Sequence, residues 1–196
     1  MINEVHISNK ANLEKEENQK KQNHELQNLI NSCLKKDRSA QEKFYKKYFG
    51  LLMGIAQRYF INKDDSLDAV NRAFLKIFKS LKKYRYEGAF EGFISTICVR
   101  VILDILRRQK WEEKRESIAE MPSAKSILPH LYYQDLLQLL NHFPESTRVV
   151  FNLFAIEGFK HQEIAKQLNI SQGTSKWHVS AAKKQLRNLI QEYHGG

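Results

Sequence analysis

Cysteine, proline and glycine are all scarce in this chain. Its 196 residues include two cysteines, three prolines and eight glycines. Cys33 and Cys98 lie far apart and fall in no metal-ligand spacing, which excludes a disulfide framework as an organising feature. The seven histidines are scattered, and His142 and His161 show no ligand periodicity, so neither a metal nor another cofactor is expected. So little glycine and proline disfavours β-sandwiches and barrels, which need many tight turns. No apolar run approaches the roughly 18 residues of a membrane span. Residues 1 to 21, rich in Asn, Glu and Lys, lack the apolar core of a secretion signal. The expectation is a cytoplasmic protein with no membrane insertion. A phosphate-cradling glycine loop, a Ser-His-Asp or Cys-His signature and paired metal ligands are all missing, so the chain is not expected to be an enzyme.

What is abundant is positive charge. Lys and Arg number 32 against 22 Asp and Glu, a formal net charge of +10. Such an excess favours a polyanionic partner, nucleic acid before an anionic membrane surface.

Apolar residues recur at helical steps of three and four. Phe44, Tyr48, Leu51, Leu52, Ile55 and Tyr59 form one face. After a break at Ile61 to Asp65, where Asp64 or Asp65 is the expected cap, Leu67, Val70, Phe74, Ile77, Phe78 and Leu81 form a second. Lys82 to Gly88 reads as a loop. Phe90, Phe93, Ile94, Ile97, Val101 and Ile105 form a third face, and the cations Arg107, Arg108 and Lys110 at its end complement the helix dipole. Glu112 to Pro129 reads as a linker. Helical patterning resumes from Leu131 through Leu140 and Phe143, then over Thr147–Glu157, Gln162–Leu168 and Gln172–Gln191. The predicted architecture is all-α: a flexible extension 1–25, a helical domain 26–111, a flexible linker 112–130 and a second small helical domain 131–196.

The sharpest local motif lies in that second domain. Ile164, Ala165 and Leu168 point one short helix inward, Ile170 plugs a turn, and Ser171 caps the next helix. This is a helix-turn-helix layout, whose second helix enters the major groove. On that helix Ser175, Val179, Ala182, Leu186 and Leu189 share the face expected in the core. Thr174, Lys176, Trp177, Ser180, Lys183 and Lys184 lie opposite, with lysines for phosphates or guanine edges. The same segment also suits a helical hairpin with a solvated basic face, and Trp177 either packs on DNA or covers the edge of its own core.

Three stretches in order carry a family resemblance. Asp65-Ser-Leu-Asp68-Ala-Val-Asn71-Arg-Ala-Phe74 resembles the polymerase-binding helix of bacterial sigma factors. Phe90-Glu-Gly-Phe93 through Arg100 to Arg108 resembles their promoter-melting helix. Phe143-Pro144-Glu145 through Glu157-Gly158-Phe159 to Gly173-Thr174 resembles their −35 domain. The chain therefore resembles an extracytoplasmic-function (ECF) sigma factor of the sigma-70 family, over roughly residues 26–110 and 131–191.

The resemblance implies roles. Asp65, Asp68, Asn71 and Phe74 would dock on the clamp coiled-coil of core RNA polymerase, carboxylates giving charge-complementary register. Tyr84, Arg85 and Tyr86 would help hold a base flipped from the −10 element, extrusion costing roughly a few kcal/mol repaid by stacking. Phe90 and Phe93 sit on the apolar stripe and are assigned to the core. Arg100, Arg107, Arg108 and Lys110 would track phosphates. Ser171, Thr174, Lys176, Trp177, Ser180, Lys183 and Lys184 would meet the −35 element. Partners so implied are core polymerase, through its clamp and flap, promoter DNA and an anti-sigma factor, with a monomer when free. Leu67, Asn71, Phe93 and Lys160 depart from the family's usual residues, and on the last helix Ser175, Trp177, His178 and Ala181 do so too, so no promoter sequence transfers. A free-standing helix-turn-helix regulator would explain residues 160–191 but not Asp65 to Phe78. A protein-interaction module that has lost DNA binding is the other alternative.

Overall fold

Why the helices begin where they do is visible in their caps. In the computed structural model residues 21–108 and 139–194 are described, the last six by backbone alone. A first helix, α1, covers 21–34 and therefore includes residues 21–25, which the sequence pattern assigns to a flexible extension. Asp37 then accepts hydrogen bonds from the backbone N–H of Ser39 and Ala40 at 2.9 and 3.3 Å and starts α2, Arg38–Gln57. A cap of this kind stabilises a helix by about 1 kcal/mol. The third helix, α3, spans Lys63–Ser80. Its cap is neither Asp64 nor Asp65 but Asn62, whose side chain accepts from the Asp64 N–H at 2.8 Å. The two aspartates lie in the first turn instead, favourable to the helix dipole. A short 3-10 turn, Leu81–Lys83, leads into the 84–89 loop, and α4 spans Phe90–Arg108.

An aromatic cluster holds these helices together. Phe44, fully buried on α2, meets the rings of Tyr48, Phe74, Phe78 and Phe90 at centroid distances of 4.8 to 6.4 Å. These are edge-on and tilted contacts that suit ring quadrupoles. Truncating such a residue to Ala costs about 3–5 kcal/mol. Phe90 is buried, as its place on the apolar stripe predicts, and Phe93 packs partly buried against the same cluster.

The second half starts with a helical turn at 139–141. Beyond it comes α5, Glu145–Phe151, which widens into a π-helical turn over Asn152–Ile156. There the Glu157 N–H bonds to the Asn152 carbonyl at 3.0 Å. Two further helices, α6 (His161–Leu168) and α7 (Gln172–His194), complete the fold. The described residues contain no strand, so the fold is all-α. The two halves are in contact: α6 packs on α4, and Val149, Val150, Leu153, Ile164, Leu168 and Val179 join the buried cluster built by the first half. The expected linker 112–130, residues 1–20, Lys110 and the side chain of Leu189 lie outside the described residues.

Candidate nucleic-acid interface

The helix-turn-helix is built from short-range hydrogen bonds. Lys160 precedes α6, and its N–H donates to the Glu163 carboxylate at 2.7 Å, which compensates for a cap residue without an acceptor. The turn ends α6 at Asn169 in the left-handed conformation (φ 56°), tolerated by asparagine better than by most residues. Ser171 accepts the Thr174 N–H at 2.9 Å and caps α7, as its position predicts. Its hydroxyl also meets that of Thr174 at 2.8 Å, so both groups serve the turn first.

The inward face of α7 is more polar than the sequence pattern suggests. Ser175 is fully buried and meets His161 Nδ1 at 2.9 Å. His178, also buried, meets the Thr147 hydroxyl at 3.0 Å. Burial lowers the His178 pKa below its ordinary 6.5, favouring the neutral ring. Position 178 therefore belongs to the core here. Outward, Lys176, Trp177, Ser180, Lys183 and Lys184 are exposed. Trp177 is 47% exposed and edge-on to His178 at 4.9 Å. It does not seal the core. Lys183 Nζ lies 5.9 Å from the Phe154 ring centroid, tethered to its own domain while facing solvent.

On α3 the carboxylates of Asp65 and Asp68 and the amide of Asn71 are exposed. Asp68 pairs with Arg72 at 2.7 Å, and Asn71 accepts from the Tyr45 hydroxyl at 3.1 Å. Phe74 is not part of this face. It is 3% exposed, with its ring 4.3 Å from that of Tyr45 and 6.4 Å from that of Phe44. Its spacing from Val70 and Ile77 places it on the core stripe, and that periodicity outweighs its proximity to the aspartates.

The 84–89 loop is held in an uncommon conformation. Tyr86 has φ 59° and Gly88 φ 79°. A non-glycine residue at positive φ stores strain of about 1–3 kcal/mol, and such strain clusters at functional sites. The Tyr84 hydroxyl donates to the Gly88 carbonyl at 2.8 Å and closes the loop. Rings 84 and 86 stand 5.0 Å apart, and Tyr86 is 47% exposed. Arg85, Arg100, Arg107 and Arg108 are exposed. Arg107 is paired with Asp104, which leaves Arg100 and Arg108 the freer cations of α4. Beside the loop, α1 forms the other wall of an open cavity of about 880 Å³, to which Asn23, His24 and Gln27 contribute. Sequence reasoning missed these three residues. Their only signal is polarity at spacings of three and four, shared by any solvated helix face.

Between the halves lies a polar seam. Arg148, 3% exposed, donates from Nε and Nη2 to the Tyr59 carbonyl at 3.2 and 3.0 Å. Asn152 Nδ2 donates to the Arg58 carbonyl. Arg58 pairs with Glu157 at 2.6 Å. Burial raises the Glu157 pKa, opposed by Arg58 and the Tyr59 hydroxyl. Among the described residues no group of three His, Cys, Asp or Glu is placed to hold a metal, and no helix is long and apolar enough to cross a membrane.

Comparison with known proteins gives this arrangement its class. The family model for Sigma-70 region 2 matches residues 44–112, and that for Sigma-70, region 4 matches residues 133–186. The chain is 26% identical over 147 residues to the ECF RNA polymerase sigma factor SigE of Mycolicibacterium smegmatis, covering 71% of this chain and 57% of that one. It is 23% identical over 180 residues to the ECF RNA polymerase sigma-E factor of Haemophilus influenzae, covering 84% of this chain and 95% of that one. Among solved structures it is similar to the sigma factor RpoE of Bartonella quintana, determined with the anti-sigma factor NepR, at 20% identity and a TM-score of 0.44, covering 76% of this chain and 98% of that one. The chain belongs to the sigma-70 family, in its extracytoplasmic-function branch.

Proposed function

We propose that this protein binds core RNA polymerase and directs it to promoters, one domain (26–111) engaging the −10 element and the other (131–196) the −35 element, with 112–130 as their linker. The observation that carries the reading is the presence of both sigma-70 regions in one chain, in order, each with an exposed surface of suitable chemistry. The exposed carboxylates Asp65 and Asp68, with Asn71, suit a basic docking site on the polymerase clamp. The exposed lysines 176, 183 and 184, with Trp177 and Ser180, suit a major groove and its phosphates. The strained aromatic loop at Tyr84 to Tyr86 suits a base taken out of the stack. Arg100 and Arg108 suit the backbone beside it.

In this reading polymerase supplies the nucleotide chemistry. The chain itself supplies binding energy and sequence discrimination, without a catalytic residue or cofactor, in the cytoplasm. The resemblance also brings the polymerase flap and an anti-sigma factor into the proposal as partners.

The test is run-off transcription with a matched bacterial core polymerase on genomic fragments, including the region upstream of the coding sequence. Specific start sites that appear only with the protein support the reading. A core polymerase that neither binds the protein nor gains any specific start overturns it.

A further inference from the structure

The cavity between α1 and the 84–89 loop has two unlike walls. The loop wall is aromatic, with the rings of Tyr84 and Tyr86 facing a common space. The α1 wall is mainly polar: Asn23, His24 and Gln27 line it together with Leu26, which also packs partly buried against the core and anchors the helix there. Residues 23 and 24 lie four and three positions before 27, so all three share a face. At about 880 Å³ the cavity falls within the roughly 300–1,000 Å³ of small-ligand clefts. Among the described residues no carboxylate lines it; of the exposed charges beside it, the cations Lys82, Lys83 and Arg85 outnumber the carboxylates Glu25 and Glu87.

Stacking faces on one side, amide and imidazole edges on the other and cations nearby together suit an unstacked nucleotide. Aromatic faces bind bases without regard to sequence. Discrimination requires hydrogen bonds to base edges, and Asn and Gln amides pair a donor with an acceptor as base edges do. The tyrosine rings provide the first of these and not the second.

We propose that α1 is the edge-reading wall of this cavity: a base of the displaced promoter strand stacks on Tyr86 and Tyr84, and Asn23, His24 and Gln27 determine which base is preferred. This rests on the initiation reading above and adds a specificity determinant outside the region-2 match, which begins at residue 44. The loop captures the strand, and α1 selects the base.

The test uses the full-length protein with core polymerase and a promoter library carrying all four bases at each −10 position. Wild type is compared with the Asn23→Ala/Gln27→Ala double variant and with Tyr86→Ala. Both alanines in the double variant replace exposed helix positions with a better helix former, so folding is retained, which circular dichroism checks. The expected result is at least a fivefold loss of base discrimination at one position in the double variant, with core-polymerase affinity unchanged. An abasic nucleotide at that position should erase the difference between the two proteins. Identical base preferences in wild type and double variant, with Tyr86→Ala still reducing promoter opening, overturn the role of α1 and leave the initiation reading intact. If wild type itself gives no specific start, the initiation reading fails and this inference fails with it.

Discussion

Arg148 of the helix-turn-helix half grips the backbone of the other half, donating two hydrogen bonds to the carbonyl of Tyr59. A carbonyl is a neutral acceptor, so the contact depends on position and not on an opposing charge. Other atoms of the seam are left less satisfied: Arg58 Nε and Arg148 Nη1 are buried without a hydrogen-bond partner among the described residues. Each such atom offsets part of the gain. On the proposed function the seam opens when the protein engages a promoter. The two elements, roughly 25 base pairs apart, are separated by about 85 Å at 3.4 Å per pair, whereas a compact chain of this length has a radius of gyration of about 16 Å.

Arg148→Ala removes both bonds. Hydrogen bonds involving a charged group contribute about 1.5–3 kcal/mol, so the halves should separate more readily. Small-angle scattering of the free protein should show a larger radius of gyration than wild type. An unchanged radius would mean that the apolar contacts of α4 and α6 hold the halves together alone.

Asp65→Arg with Asp68→Arg reverses the exposed carboxylates of α3 without touching the buried Ser66, Ala69 or Val70. Like charges placed opposite one another at an interface cost several kcal/mol. Affinity for core polymerase should fall at least tenfold, measured by fluorescence anisotropy, with the melting temperature little changed.

Replacing Lys176, Lys183 and Lys184 singly with Ala should weaken DNA binding across all sequences. Each lysine that no longer neutralises a phosphate lowers the slope of log affinity against log salt by about 1. A salt titration of each variant separates phosphate contacts, which change the slope, from base contacts, which alter sequence preference. Because Lys183 also leans on Phe154, its variant should show the smallest change of slope.

His178 gives the second half a pH dependence. Its pKa in the folded protein is depressed below 6.5 by burial, so the unfolded chain binds the proton more tightly. Stability is complete above the unfolded value and falls as pH drops through it, until the folded pKa is reached. Urea midpoints at pH 7.5 and 5.5 should therefore differ more for wild type than for His178→Gln. Equal differences would show that the ring takes its proton without loosening the fold.

The helices are legible in the sequence because their apolar stripes repeat every three or four residues. The turn of the DNA-binding motif is legible because Ser171 and Asn169 do locally what their side chains favour. Other features depend on what lies across the molecule. Phe74 reads both as part of a docking motif and as part of an apolar stripe, and Phe44 and Tyr45 beside it decide for the stripe. His178 reads only as a departure from the family's usual residue until Thr147 meets it from 31 residues away. Arg148, Asn152 and Glu157 find their partners 89 to 99 residues away, and no local pattern encodes such a pairing. The cap of α3 differs from the expected one because Asn62 and the aspartates suit a first turn equally well by composition.

The widened turn at Asn152–Ile156 makes the seam a matter of chain length as well as chemistry. A π turn is, in effect, a helix carrying one extra residue. The widened turn absorbs that residue, so deleting one there would restore ordinary winding and leave Arg148 and Glu157 on the edge they share. A residue inserted in the regular turns of α5 would instead rotate Arg148 about 100° away from Glu157. Substitutions along this segment change the strength of the contact, whereas a change of length outside the widened turn changes its phase.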